Sequence, residues 1–135
     1  MSFVLDCSVT MAWCFEDERT AATDALLARV VDAGAIAPFL WPLEVTNVLL
    51  NAARRRRIPS DGVNQVAQRI AALPVAIDTD GAALVWGNTL QLAERYTLTS
   101  YDACYLELAQ RKALPLATLD AALRKAATAA GVTLL

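Results

Sequence analysis

Short runs of β-branched or apolar residues alternate along the chain with longer alanine- and leucine-rich segments whose apolar positions repeat at helical spacing. That alternation predicts an α/β fold with a parallel sheet. The strands fall at Phe3–Leu5, Ala35–Ala37, Val75–Ile77, Pro115–Thr118 and Val132–Leu135. Each is a continuous apolar run, as a strand covered on both faces should be. Helices are expected at Val9–Phe15, Glu18–Asp32, Pro42–Arg55, Ser60–Leu73, Asp80–Tyr96, Ser100–Lys112 and Asp120–Ala130. Gly34 and Gly131 suit left-handed C-caps, Pro42 a first helical turn, and Ser60 and Ser100 N-caps, while Pro59 stops the helix before it. No Gly/Ser linker, low-complexity segment or repeat interrupts the pattern. The 135 residues therefore read as one domain, a short central sheet of about five strands between helical layers.

Composition sharpens this picture mainly by what is missing. The chain is 56% hydrophobic, carries a formal net charge of -2 and has no histidine. That removes Ser or Cys triads, imidazole acid/base pairs and His-built zinc sites. Any catalysis must use carboxylates, hydroxyls, amines or a bound metal. Cys7, Cys14 and Cys104 form no C-x-x-C pair, and buried, reduced thiols are expected. The N-terminal segment lacks a basic region ahead of Asp6, so no signal peptide is read there. The longest charge-free run, Gly81 to Ala93, is 13 residues, short of the roughly 18 to 20 that span a bilayer. A cytoplasmic protein without a membrane segment is the expectation.

Ligands of open parallel sheets bind beyond the carboxyl ends of the strands, and in this chain those positions are acidic. Asp6 follows the first strand and Asp120 the fourth. Glu44 and Asp102 fall in the first turns of two helices. An acid in a first turn also pairs with the helix dipole, which by itself accounts for Glu44 or Asp102 taken singly. Asp6 is different, because it lies between Leu5 and Cys7 where an unpaired carboxylate is costly. Several acids in one crevice call for a cation, and hard oxygen donors favour magnesium or manganese. Glu16, Asp24, Asp32, Asp61 and Glu94 read as solvated faces or caps.

The segments VLDCSV, PLEVTNVL, SYDACYLELA and TLDAALRKAA, around Asp6, Glu44, Asp102 and Asp120, resemble the four acidic motifs of the PIN-domain nucleases. The compact VapC-type toxins of toxin–antitoxin pairs are the nearest likeness, and the resemblance covers essentially the whole chain. It implies a Rossmann-like, three-layer PIN fold and a magnesium-dependent endoribonuclease, with manganese able to substitute. Asp6, Glu44, Asp102 and Asp120 are then the catalytic and metal-holding carboxylates. Asp6 and Asp102, with Asp120, would hold one ion, and Glu44 or Asp120 would reach a second if there is one. Ser8, Thr118 and Asn47 match polar positions that orient carboxylates or water in such sites; Ser8 also suits an N-cap for the helix from Val9. RNA as substrate, a small antitoxin covering the site, and a homodimer complete what the resemblance implies.

The run Arg54, Arg55, Arg56, Arg57 exceeds what a helix C-terminus needs and suits contact with RNA or a partner. Phe39 to Leu50 is an apolar segment fit for either a partner or the core. The tryptophans and tyrosines read as packing residues, with Tyr101 beside Asp102 left open. A phosphoacceptor receiver module shares the length and the acidic pocket, but it needs a lysine after the fifth strand, where none stands. A PIN-like protein that only binds RNA or a partner would have no use for all four acids.

Overall fold

The computed structural model describes residues 2–135. Four parallel strands, β1 (Val4–Leu5), β2 (Ala35–Ala37), β3 (Val75–Ile77) and β4 (Leu116–Ala117), form one sheet in the order β3-β2-β1-β4. Val4 lies opposite both Ile36 and Leu116, so β1 sits inside the sheet and its carboxyl end opens between β2 and β4. The expected fifth strand, Val132–Leu135, shrinks to a single bridge from Leu134 to Leu116. Leu116 donates to the Thr133 carbonyl and accepts from the Leu135 N–H, which ties this segment beside β4 without further pairing.

Seven helices cover the sheet: α1 (Cys7–Cys14), α2 (Ala21–Ala33), α3 (Trp41–Arg54), α4 (Val63–Ala71), α5 (Leu90–Tyr96), α6 (Ser100–Lys112) and α7 (Ala121–Ala129). One group joins α1 to α2 and α3, and α3 to α4, while α6 packs on β1, β4, α5 and α7. Phe3, Val4 and Leu5 are fully buried, and every residue from Ala103 to Ala109 of α6 is buried. A helix enclosed all round has to neutralise any charge it carries. Glu107 does so through Arg111, at 2.8 Å, and the same guanidinium reaches Asp78 just after β3, at 2.7 Å.

Several expected boundaries move for local reasons. The segment Asp80–Tyr96 is not one helix: a 3-10 turn (Gly81–Leu84) and a π turn (Val85–Thr89) precede α5. The Gly81 N–H is taken by Asp78 at 2.8 Å, and a Cβ there would sit 2.8 Å from that carboxylate, so glycine is required. α1 begins at Cys7 with Asp6 as its cap residue, so Ser8 is inside the helix rather than capping it. Thr20 and Thr23 form a capping box that starts α2 at Ala21. Thr99, not Ser100, caps α6, and Ser60 opens a 3-10 turn without a side-chain cap. Gly34 and Gly131 take positive φ, of 74° and 77°. All three cysteines are free, with Cys7 and Cys104 buried and Cys14 half-buried. Among the described residues no helix is long and apolar enough to cross a membrane.

Candidate active site

The acids reach the carboxyl edge of the sheet by four different routes. Asp6 continues β1, its N–H bonded to the Ala117 carbonyl, which sets it beside Thr118. Both the Ser8 and Thr118 hydroxyls donate to its Oδ2, at 2.5 and 2.7 Å. Ser8 in turn accepts from the Leu119 N–H and Thr118 from the Asp120 N–H, so two hydroxyls bind the ends of β1 and β4 together. Glu44 lies in the first turn of α3, whose start is pinned to α1 by Trp41 donating to Thr10. Its Oε1 accepts from Tyr105, a fully buried residue one turn beyond Asp102 on α6. Asp102 is placed by Thr99, which accepts from its N–H. Asp120 caps α7 through its Oδ2, which accepts from the Leu123 N–H.

These acids feel one another. Burial, followed by the charges of Asp120 and Asp6, pushes Asp102 up to about 6. Burial also raises Glu44, with Asp6 and Asp102 adding to it and the Tyr105 hydroxyl opposing it. Asp6 is raised by burial, offset in part by Ser8 and Thr118. Mutually repelling carboxylates of this kind favour a cation. Among the described residues no three Asp, Glu or Cys side chains converge tightly enough to hold an ion by themselves. The donors nevertheless suit magnesium, which keeps several waters and needs one or two carboxylates directly. Asp102 keeps both carboxylate oxygens, and Glu44 and Asp120 one each, without a hydrogen-bond donor among the described residues.

The PIN domain family matches residues 3–129. The chain belongs to the PIN domain family. Ribonuclease VapC3 of Pyrobaculum aerophilum is 27% identical to it over 120 residues, 89% of this chain and 90% of that protein. A crystal structure of PAE2754 from Pyrobaculum aerophilum superposes with a TM-score of 0.70 at 22% identity, covering 93% of this chain and 86% of its own. That likeness shows a shared fold. The receiver alternative falls to these matches.

The remaining expected residues of this PIN domain lie less centrally. Asn47 is exposed on α3 and, with Glu44, Leu40, Leu43 and Tyr101, lines a cavity of about 520 Å³. The arginine run closes α3 at the end opposite Glu44. Arg57 there is committed to Asp17 and Glu18, at 2.8 Å each, and stacks on Phe15. Within Phe39 to Leu50, Trp41, Val45 and Leu49 belong to the core and Leu43 is exposed. Two residues escaped the sequence reading. Tyr105 was marked only by its spacing of three from Asp102, which puts both on one helix face. Asp78 follows a strand as Asp6 does, yet Arg111 holds it below the usual carboxylate range, so it serves the fold.

Proposed function

We propose that this chain is a divalent-cation-dependent endoribonuclease, the toxin of a toxin–antitoxin pair. One observation carries the reading: Asp6, Glu44 and Asp102, from separate elements, are all raised, Asp6 by burial, and Glu44 and Asp102 by burial together with the charges of Asp6, Asp102 and Asp120. Acids held in mutual repulsion at a strand-end crevice are arranged for a cation and a phosphate rather than for packing. The name of its relative, a ribonuclease of the VapC type, supports RNA as substrate. The VapC-type resemblance adds a small antitoxin as partner, a homodimer and a cytoplasmic setting.

Asp6, Asp102, Asp120 and Glu44 would hold the ion. Magnesium or manganese bound there supplies a deprotonated water at neutral pH and positive charge beside the phosphate. The protein's own contribution is orientation. Ser8 and Thr118 fix Asp6 through Oδ2. Tyr105 fixes Glu44 through Oε1, and the Leu123 N–H fixes Asp120 through Oδ2. Asp102, pushed up to about 6, is ionised above that pH.

Purified protein is expected to cleave single-stranded RNA in magnesium or manganese and to stop in excess EDTA. Asp6→Asn should lower the rate by at least about 100-fold with the fold retained by circular dichroism. Undiminished cleavage after chelation would remove this reading.

A further inference from the structure

An RNA strand brought to this crevice carries negative charge toward acids, so cations of the protein are needed close to the cut. The arginine run does not supply them there. Arg54 follows Glu44 by ten residues on α3, which is about 15 Å along the helix axis.

A groove of about 480 Å³ opens from Thr118 and Leu119 at the edge of the acids and is walled by α2 and α7. Its two cationic side chains are Arg124 and Arg29. Arg124 Nη1 donates to the Thr118 carbonyl at 2.8 Å, and the Thr118 hydroxyl is the one that holds Asp6. The guanidinium is thereby moored beside the acids, with Nε and Nη2 unengaged by any acceptor among the described residues. Arg29 lies over the Phe3 ring, 5.5 Å from its centre. Phe3 precedes β1 and Asp6 follows it, so Arg29 stands toward the far end of that strand from the acids. Neither arginine pairs with a carboxylate among the described residues. Leu26 and Leu119 provide apolar walls, suited to ribose and base faces.

We propose that this groove is a phosphate-binding subsite for the single RNA strand beside the cut, with Arg124 on the phosphate nearest the acids and Arg29 further along. The inference rests on the ribonuclease reading above. It takes RNA over an acidic protein segment because Thr118, which lines the groove, holds Asp6 with its hydroxyl and the groove's inner cation with its carbonyl.

The test measures affinity of the Asp6→Asn protein, on which substrate survives, for a short single-stranded oligoribonucleotide against salt concentration. Arg124→Gln and Arg29→Gln should each flatten the logarithmic salt slope by about 0.7. Arg124→Lys should keep the slope, separating charge from the bond to Thr118. If Arg124→Gln fails to fold, Arg29→Gln, at an exposed position, carries the test alone. A wild type that neither cleaves nor binds RNA overturns the ribonuclease reading and the subsite with it. An active wild type whose slope survives both substitutions overturns the subsite alone. So does a slope that falls in a double Arg55→Gln, Arg56→Gln variant and not at the groove, or groove variants that change only association with a protein partner.

Discussion

Neither oxygen of Asp102 meets a hydrogen-bond donor among the described residues, so nothing offsets the burial and neighbouring charge that push it up to about 6. Its proton is held more tightly in the folded chain than in the unfolded one, where the carboxyl has its ordinary value of 3.8. This group therefore favours folding below about pH 4 and loses that contribution as the pH rises through 6. Asp102→Asn removes the loss. Without divalent cations the variant should be more stable than wild type at pH 7.5, by about 1 kcal/mol once solvent screening at a half-exposed group is allowed for. The advantage should fade near pH 4. Denaturant midpoints at the two pH values check this, and an equal advantage at both would show that repulsion is not its source. The positions of the four candidate acids were legible residue by residue, because each follows a strand or opens a helix. Their supports were less so. Tyr105 looks like one more core aromatic until its hydroxyl is seen to have Glu44 as partner, and a tertiary pairing of that kind has no local signature.

Among the elements, α6 binds fold and site together. It carries Asp102 in its first turn and Arg111 in its last, with Tyr105 and Glu107 in the enclosed stretch Ala103 to Ala109 between them. Arg111 alone compensates two carboxylates, Asp78 and Glu107, whose side chains are 3% and 2% exposed. Arg111→Met should cost about 3 kcal/mol or more at pH 7, because both charges are left buried without a partner. Chemical denaturation measures it. Asp78 normally contributes stability above its unfolded value and loses it as the pH falls through its lowered folded value. The variant loses that contribution, so its deficit should hold down to about pH 4 and narrow only below it, as Asp78 protonates in the wild type. Strands β1, β2 and β4 were legible because a strand buried on both faces is apolar throughout. β3, though partly exposed, is apolar too, and the largely apolar Val132–Leu135 keeps only one bridge. Asp80–Tyr96 misled because its apolar spacing continues through the 3-10 and π turns. The break comes from Asp78 capturing the Gly81 N–H, and Trp86 on the π turn is left 89% exposed.

For the molecule as a whole, the proposed cation site would make binding and folding one equilibrium. Magnesium or manganese at about a hundredfold over its dissociation constant should stabilise the native chain by about 2.7 kcal/mol, seen as a melting temperature several degrees higher. EDTA should reverse the gain and Asp6→Asn should abolish it. A wild type whose melting temperature ignores both cations would mean that the acids hold no ion. The overall class was legible because alternating strands and helices with strand-end acids leave few arrangements open. The groove with Arg124 was not, since nothing in TLDAALRKAA says which basic residue turns back toward the strand. Thr118 and Asp6, 112 residues apart in sequence, meet in one hydrogen bond. Synthesis delivers the N-terminal part first, so Asp6 and Glu44 emerge long before Thr118 and Asp120 exist. On the ribonuclease reading, a half-made chain is harmless to the transcript being translated, and cleavage becomes available only when the last helix docks.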